Sequence, residues 1–438
     1  RRPVNNPVHP LFRSERRFAW RLQAIVVVGL VALLVADLFG GGDPEPSAQT
    51  ETPVETPVET PGETLAQSPA QTPAETTVPG AGATTTVPTS TTAAARSFTL
   101  VATGDIISHG AVAERAAAAA DRDGRDDHWD FTPLFARIRP ILAGADLALC
   151  HLESPLSMDD QDHSFRGTFR VPSSLADAIA DAGYDGCSLA SNHALDSGPS
   201  SVTATLHHLR RVGLATAGMA DTEDAAGPAW FTPGGLRVAH FSVTDLINGR
   251  DLPVDPPWMV PHLDVDRVIA DAAAARSEGA DFVVVSVHWG EEYRADPTDR
   301  QRSAAERLLA APEVDLVLGH HAHVVQPVVR RGGDAVAFGL GNLLTNQPGD
   351  DANPCRSCPP ETQDGLIAWF QVTETVDGAR ITDAGYVPTW VDRGTTHEIV
   401  PIGVDEPDQV EPSVLADSAA RTAAVVEPAL RRLAFTNG

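Results

Sequence analysis

Short apolar runs recur along the chain from Ser97 onward, and amphipathic stretches separate them. Several of these runs show no alternation with polar residues, which is typical of strands that are covered on both faces. The runs predict buried strands at Phe98–Thr103, Asp146–Leu149, Gly186–Leu189, Leu236–Val243, Phe282–Val287, Leu316–Leu318, Ala335–Phe338 and Leu366–Val372.

The stretches between these runs carry the start and stop residues of helices. The predicted helices are Ser174–Ala182, Ser200–Val212, Val265–Glu278 and Thr298–Leu309. Alternation of strands and helices predicts one layered α/β domain over residues 97–400. Residues 401–438 form a C-terminal extension with one amphipathic stretch, Ser413–Leu433, that could pack on the domain or project from it.

The part of the chain before Ser97 divides into three segments of different composition. Residues 1–21 are rich in arginine, and residues 22–39 contain the unbroken apolar run Ala24–Ala36. A spanning helix needs about 20 apolar residues and at least about 17, so residues 22–39 predict a transmembrane anchor near the minimum length. The positive-inside rule then places residues 1–21 in the cytoplasm and the main domain outside the cell membrane. A cleaved signal peptide is the alternative.

Residues 40–96 are rich in proline, threonine and glutamate, with almost no large apolar side chains. Such a composition does not offset the entropy lost on ordering, so it predicts a disordered linker. The linker would hold the α/β domain away from the membrane.

The charge balance restricts the class of partner. The chain has 32 basic and 59 acidic residues, a net charge of −27, and all of its basic residues are arginine. A strongly acidic protein is a poor general binder of nucleic acid, so no nucleic-acid partner is expected. The absence of lysine excludes Schiff-base chemistry and a P-loop. An anionic substrate stays compatible with the composition, because bound divalent cations reverse the local field.

The four cysteines fall into two pairs with different surroundings. Cys150 and Cys187 lie in apolar runs and are expected to be buried small hydrophobic residues. Cys355 and Cys358 form a C-x-x-C in a proline-rich polar segment, where a small loop disulfide is expected.

Acid, amide and imidazole side chains follow several of the predicted strands. Asp105 and Glu153 each come shortly after an apolar run, and Asn192, His193 and Asp196 follow a third. The carboxyl ends of strands are where open α/β sheets bind ligands. An amide oxygen can bind a metal, an imidazole can transfer a proton, and a carboxylate can fix the imidazole tautomer. Taken singly, Asp105 or Asn192 could instead cap a helix, and Glu153 could be a solvated loop residue.

Histidines end the next two strands. His288 follows one run, and the sequence Gly319-His320-His321-Ala322-His323 follows another, where His321 and His323 can point to one side. Carboxylate, amide and imidazole ligands without thiolate suit Mn, Fe or Zn, and the number of candidates predicts two divalent metal ions. Further residues are candidates to contact the substrate or support the ligands: His109, His320, Gln326 and Asn342.

Six motifs stand out along the chain: Gly104-Asp105, Leu152-Glu153, Ser-x-Ala-Ser-Asn-His-x-x-Asp-x-Gly at 188–198, His288-Trp289-Gly290-Glu291, Gly-His-His-x-His-x-x-Gln at 319–326 and Leu-Gly-Asn at 340–342. Together they resemble the poly-γ-glutamate capsule synthesis (CapA-type) family, a branch of the calcineurin-like metallophosphatases. The resemblance covers about Ser97 to Thr395. It implies a four-layer α/β/β/α sandwich with a dinuclear metal centre at the strand ends, usually presented outside the cytoplasmic membrane.

The resemblance also implies roles for single residues. His193 resembles the proton donor to the leaving group, with Asp196 as its partner, and Glu153 resembles the ligand that bridges two ions. The implied metal ligands are Asp105, Glu153, Asn192, His288, His321 and His323. The chain departs from the metallophosphatase pattern at His109, which is not at the Asp-x-His spacing, and at Glu153, which replaces an aspartate.

The expected function is the synthesis, release or trimming of poly-γ-glutamate or a similar anionic envelope polymer by metal-assisted hydrolysis. Partners implied by this reading are the membrane, the polymer or a phosphoester substrate, and subunits of a capsule synthase. One alternative is a non-catalytic subunit of that synthase that binds or scaffolds the polymer. Another is a phosphodiesterase or phosphatase of the same fold.

Overall fold

The computed structural model describes residues 95–124, 128–349 and 355–433. The predicted cytoplasmic segment, the predicted anchor and nearly all of the predicted linker lie outside these residues. Among the residues described, no helix has the length and apolar character needed to cross a membrane.

The strands are named in chain order. They are β1 (Ser97–Ile106), β2 (Leu147–Leu152), β3 (Ser164–Arg166), β4 (Thr168–Arg170), β5 (Gly186–Ser188), β6 (Ala215–Ala217), β7 (Ala229–Phe231), β8 (Val238–Thr244), β9 (Phe282–His288), β10 (Leu316–His320), β11 (Val328–Arg331), β12 (Asp334–Ala337), β13 (Asn342–Leu344), β14 (Asp364–Thr375), β15 (Gly378–Val391), β16 (Ile399–Pro401) and β17 (Arg431–Arg432).

The α-helices follow the same convention. They are α1 (Gly110–Asp123), α2 (Thr132–Phe135), α3 (Arg139–Leu142), α4 (Ser174–Ala182), α5 (Pro199–Arg211), α6 (Val265–Ser277), α7 (Asp299–Ala310) and α8 (Pro412–Val426). Single 3₁₀ turns lie at Glu223–Ala225, Pro233–Gly235 and Pro360–Gln363.

Two sheets form the centre of the domain. The first has the strand order β16-β15-β14-β1-β2-β5-β6, with β13 paired to β1 and β17 to β15. Its strands β1, β2, β5 and β6 are parallel, whereas β14 pairs antiparallel with β1 on one side and with β15 on the other. The second sheet has the order β11-β12-β10-β9-β8-β7, and its strands β8, β9, β10 and β12 are parallel. Parallel strands bring their carboxyl ends to one edge of each sheet.

Apolar side chains fill three interfaces between four layers. Helices α1 to α5 cover one face of the first sheet, where Leu175 packs in the same cluster as Val101. The inner faces of the two sheets meet in a second cluster, in which the Phe98 and Phe282 rings lie edge to face at 5.9 Å. Helices α6 and α7 cover the outer face of the second sheet, where Leu308 packs with Val285. The domain is therefore an α/β/β/α sandwich, as expected.

The C-terminal amphipathic stretch packs on the first sheet. Arg421 and Ser418 on α8 donate to the buried Asp364 carboxylate at the start of β14, and Tyr386 on β15 donates to Glu427. The helix ends at Val426, before Leu433, because Pro428 has no backbone N–H to donate to the Ala424 carbonyl and so cannot continue the helix. Strand β17 then pairs with β15.

Both cysteine pairs are disulfides. Cys355 bonds Cys358, which confirms the predicted loop disulfide. Cys150 and Cys187 are buried as expected, but they are also bonded to each other, which was not predicted. They occupy directly opposite positions on the adjacent strands β2 and β5, with their Cα atoms 4.5 Å apart. The sequence did not reveal this pairing, because strand register is set by tertiary structure.

Candidate metal centre

The strand ends of both sheets converge on one cluster of polar side chains. In the first sheet, Asp105 at the end of β1 lies opposite His151 on β2 and Asn342 on β13. In the second sheet, His288 at the end of β9 lies opposite His320 on β10. All five side chains are buried. Carboxylate, amide and imidazole groups buried together at the carboxyl ends of strands are the pattern of a binding site.

Asp105 is held by donors from the turn after β10. His320 Nδ1 lies 2.9 Å from Asp105 Oδ1, while the His321 backbone N–H and His323 Nδ1 both donate to Asp105 Oδ2 at 3.1 Å. Burial acts to raise the pKa of this carboxyl, but the hydrogen bonds from His320 and His323 outweigh it and hold the pKa well below its usual range. Asp105 is therefore an anion at neutral pH.

The turn that carries the histidines has an unusual backbone. His321 and His323 both have positive φ values, 88° and 56°, which non-glycine residues adopt at a cost. Gly319 is required just before it, because a Cβ atom there would lie 1.9 Å from the Phe338 carbonyl oxygen. The close approach of Gly319 to Phe338 and the left-handed backbone at His321 and His323 end the strand. They direct these two side chains towards the cluster.

Glu153 lies at the middle of the cluster without a hydrogen-bond donor. Its Oε1 atom is 3.9 Å from His288 Nε2 and 3.8 Å from His323 Nε2. Among the described residues, neither of its buried carboxylate oxygens has a hydrogen-bond partner. Burial raises the pKa of Glu153 to about 7, against the opposing effect of His323. A buried carboxylate without donors is costly unless a cation accompanies it.

His151 belongs to the cluster, although it was not among the predicted site residues. Its Nδ1 atom lies 2.8 Å from Ser188 Oγ, its Nε2 atom lies 3.0 Å from His288 Nδ1, and its ring stacks on His320 at 4.0 Å. Burial and neighbouring histidines lower the pKa of His151 well below its usual value. The available signal was its position two residues before Glu153, at the end of the same strand.

Asn192 and His288 join the cluster from opposite sheets. Asn192 Oδ1 lies 3.0 Å from His288 Nε2, and the Asn192 carbonyl accepts from the Asn248 backbone N–H. Burial, followed by the charge of His321, lowers the pKa of His288 well below its usual value. Burial likewise lowers the pKa of His321 to about 3. These imidazoles are neutral, as metal ligands must be.

His193 and Asp196 form a separate pair beside the cluster. His193 Nδ1 lies 2.7 Å from Asp196 Oδ2, which also accepts from the Phe169 backbone N–H. The Phe169 ring meets the His193 ring edge to face at 4.7 Å. The pair adjoins the candidate ligands, because the His193 backbone N–H donates to Ser191 Oγ, which in turn donates to the Glu153 carbonyl. With Nδ1 bound to the carboxylate, Nε2 is the nitrogen left for proton transfer.

The donor set fits divalent metal ions. Ligand-type atoms lie within 4.8 Å of one another in three overlapping groups: Asp105, His151 and His320; His151, Glu153 and His288; Glu153, His321 and His323. Glu153 occurs in two of the groups, and its oxygens have no donor among the residues described, as a bridging ligand would require. The nearby charges of Glu153 and Asp105 overcome burial and raise the pKa of His323 to about 9, so a bound cation would replace its proton.

The remaining predicted site residues lie at different distances from the ligands. Asn342 orients His323, since its Oδ1 atom is 3.2 Å from His323 Nδ1. His109 accepts from the Asn346 backbone N–H and packs on Phe169, and it occurs in none of the three groups. Gln326 bonds Gln301 and the Arg294 carbonyl through its amide, which ties α7 to the loop after β9.

Comparison with known proteins places the chain among capsule synthesis proteins. It is 26% identical over 228 residues to "PGA biosynthesis protein CapA" from Bacillus subtilis, covering 49% of this chain and 57% of that protein. It is 28% identical over 225 residues to "Capsule biosynthesis protein CapA" from Bacillus anthracis, covering 49% and 54% respectively. A "Probable polyglutamine synthesis accessory protein" of Mycobacterium tuberculosis is 27% identical, with 47% and 57% covered. The chain spans about half the length of these relatives.

Solved structures show weaker similarity. The calcineurin-like phosphoesterase YfkN from Bacillus subtilis matches with a TM-score of 0.39 and 10% identity, covering 75% of this chain and 97% of that one. NAD nucleotidase from Haemophilus influenzae matches with a TM-score of 0.37 and 11% identity, covering 75% and 63%.

The family comparison covers the part of the chain that builds the cluster. The model of the family described as "Bacterial capsule synthesis protein PGA_cap" matches residues 99–347, a span that contains all of the candidate ligands. This match extends over more than half of the chain. The protein is therefore a member of the bacterial capsule synthesis protein family PGA_cap.

Proposed function

We propose that this chain is a metal-dependent hydrolase that acts in the synthesis, release or trimming of poly-γ-glutamate or a similar anionic envelope polymer. The observation that carries the proposal is the buried Glu153 carboxylate, which lies without a donor among the described residues and between imidazoles from the other sheet. Membership of the capsule synthesis family supports the choice of polymer.

Two divalent ions, Mn, Fe or Zn, would be held by Asp105, Glu153, Asn192, His288, His321 and His323, with His151 and His320 close enough to take part. Bound ions of this kind polarise the oxygen of the scissile group and lower the pKa of water. Their positive charge would also let an acidic protein accept an anionic substrate.

The chain itself supplies the proton-transfer step. Asp196 accepts from His193 Nδ1 and so fixes the orientation of the ring. His193 Nε2 then donates a proton to the leaving nitrogen or oxygen as the bond to the acyl or phosphoryl group breaks. The edge of the Phe169 ring restricts rotation of the imidazole and excludes water from one of its sides.

The proposed location is the outer face of the cell membrane, with residues 22–39 as the anchor and residues 40–96 as a spacer. Subunits of a capsule synthase are the proposed partners there. Membrane fractionation of the full chain, with and without residues 1–39, tests this location. Recovery of both forms in the soluble fraction would contradict it.

The hydrolysis test uses the full chain loaded with Mn²⁺ or Zn²⁺ and two substrates, a γ-linked glutamate polymer and a generic phosphodiester. Cleavage of the polymer is expected. His193→Ala should lower turnover by about 10²-fold or more and leave the metal content unchanged. His207→Ala, a change to an exposed histidine on α5, is the matched control and should retain activity.

The outcomes separate the alternatives. Unchanged turnover in His193→Ala would remove this residue from the chemistry. Tight polymer binding without cleavage of either substrate would contradict the hydrolase and support the polymer-binding subunit. Cleavage of the phosphodiester alone would point to a phosphoesterase.

A further inference from the structure

A cavity of about 530 Å³ adjoins the metal centre. Gln347 in its wall connects it to the ligands, because Gln347 Oε1 accepts from Asn342 Nδ2 at 3.0 Å and Gln347 Nε2 donates to Tyr293 Oη at 3.2 Å. Asn342 in turn contacts the candidate ligand His323. The Tyr293 ring, also in the wall, lies 6.0 Å from the His323 ring. The cavity therefore opens directly beside the candidate ligands.

The hairpin of β3 and β4 supplies another wall of the cavity and contacts the proposed proton donor. Phe165 on β3 lines the cavity and lies opposite Phe169 on β4. Phe169 packs edge to face on His109, in the wall of the cavity, at 5.5 Å and on His193 at 4.7 Å. A molecule that binds against the hairpin would therefore touch the element that positions His193.

Arg166 on this hairpin lines the cavity. Its side chain is exposed, and no salt bridge to it occurs among the described residues. The Asp160 carboxylate, in the segment before the hairpin, is engaged by Ser173 and His163. Arg170 on the same hairpin also lacks a carboxylate partner in the described part of the chain, and donates to Ser197 Oγ and the Asp162 carbonyl. In a protein with a net charge of −27, a guanidinium group in the wall of a cavity favours an anionic occupant.

The size and chemistry of the cavity suit an extended chain that carries carboxylates. Its volume falls in the range of small-molecule pockets, roughly 300–1,000 Å³, which is too small for a folded partner. A guanidinium group presents two parallel N–H donors that match a carboxylate. Phe165 and the methylene groups of Arg166 can cover the apolar part of such a chain.

We propose that this cavity is a subsite for the carboxylates of an extended anionic chain, with Arg166 as the residue that pairs with them. The subsite rests on the proposed function, since it would hold the part of the polymer that flanks the bond to be cleaved. Arg166 acts as a specificity residue for acidic over uncharged chains.

The test is equilibrium binding to the full, metal-loaded chain, measured by fluorescence anisotropy. The probes are a labelled γ-linked glutamate oligomer and the uncharged γ-linked glutamine oligomer. Arg166→Gln should weaken binding of the acidic oligomer about tenfold, and Arg166→Lys should recover part of the loss. Arg302→Gln on α7, an exposed arginine also without a salt bridge among the described residues, is the matched control and should bind as the unchanged protein does.

Equal binding of the acidic oligomer by Arg166→Gln and Arg302→Gln would overturn the subsite, and so would an equal loss for the uncharged oligomer. Inorganic phosphate as a competitor separates the anion classes. Displacement of the oligomer by phosphate at a lower concentration than by free glutamate would overturn the carboxylate assignment. Hydrolysis by the unchanged protein is measured separately, so the proposed function can stand when the subsite fails.

Discussion

At the scale of single residues, the charge of the Glu153 carboxylate is unfavourable in the metal-free folded protein. It is buried, its pKa is raised to about 7 by that burial, and no donor among the described residues reaches its oxygens. Since its usual value is 4.5, the shift corresponds to about 3 kcal/mol that favours the protonated form in the folded protein. The contribution of Glu153 to the unfolding free energy is therefore fully present below pH 4.5 and is lost as the pH rises through about 7.

Glu153→Gln is expected to raise the unfolding free energy of the metal-free protein at pH 8, by up to about 3 kcal/mol, because the amide removes a buried charge. Near pH 4.5 the variant and the unchanged protein should be nearly equal. Thermal unfolding at both pH values, in a chelator, measures the difference.

Addition of Mn²⁺ is expected to reverse this order, because only the carboxylate gains a ligand bond. Glu306→Gln, an exposed change on α7, serves as the control and should show no dependence on metal. A variant that gains as much stability from Mn²⁺ as the unchanged protein would show that Glu153 is not a ligand.

Single residues were predictable from the sequence where they end an apolar run. Asp105, Asn192, His288, His321 and His323 all lie in the cluster, as their positions after predicted strands suggested. His151 and Arg166 were missed for a different reason. His151 is identified by its contacts with two other strands, and Arg166 by its place in the wall of the cavity. Neither property is local to the sequence.

At the scale of elements, the disulfide between β2 and β5 lies directly behind the cluster. Cys150 precedes His151, and Cys187 precedes Ser188, whose Oγ atom lies 2.8 Å from His151 Nδ1. The bond also closes a loop of 37 residues. It therefore stabilises the two strands that present His151 to its neighbours.

Replacing Cys150 and Cys187 together by alanine is expected to lower the unfolding free energy by about 3–4 kcal/mol, from the length of the closed loop. Metal affinity should fall as well, because His151 and Ser188 lose a constraint. The control pair, Cys355→Ala with Cys358→Ala, opens a loop of only 3 residues and should cost about 2 kcal/mol or less. Denaturant unfolding and metal titration give both quantities, and equal effects of the two pairs would contradict the prediction.

The predicted strands and helices recur in the structure with shifted ends. Helix α4 spans Ser174–Ala182 as expected, since a glycine with positive φ follows it. The β3–β4 hairpin and β15 were not predicted. The hairpin strands have three residues each, too few for a periodic signal, and Pro388 in β15 removes a donor that a strand normally supplies. The hairpin and β15 both form by pairing with residues that lie across a turn or far away in the sequence.

At the scale of the whole molecule, the C-terminal segment is held to the domain by a buried ion pair. Asp364 is 3% exposed in its side chain and pairs with Arg421 on α8, which is 36% exposed. Arg421→Ala leaves the Asp364 carboxylate buried with Ser418 as its remaining side-chain donor.

The expected loss of unfolding free energy for Arg421→Ala is about 1–3 kcal/mol, discounted for the partial exposure of the arginine. Arg307→Ala on α7 breaks a pair with the exposed Asp266 and should cost less than about 0.5 kcal/mol. Chemical denaturation of both variants measures the difference. Similar values for the two would mean that α8 contributes little to holding the fold together.

The arrangement of ligands across two sheets bears on when the protein acquires its ions. Each of the three groups of candidate ligands combines residues from the first sheet with histidines from β9, β10 or the turn after β10. A growing chain therefore cannot assemble all three groups until synthesis has passed His323 and both sheets have come together. If the domain were exported before it folds, the metal ions available outside the cell, and not those in the cytoplasm, would determine which ions it binds.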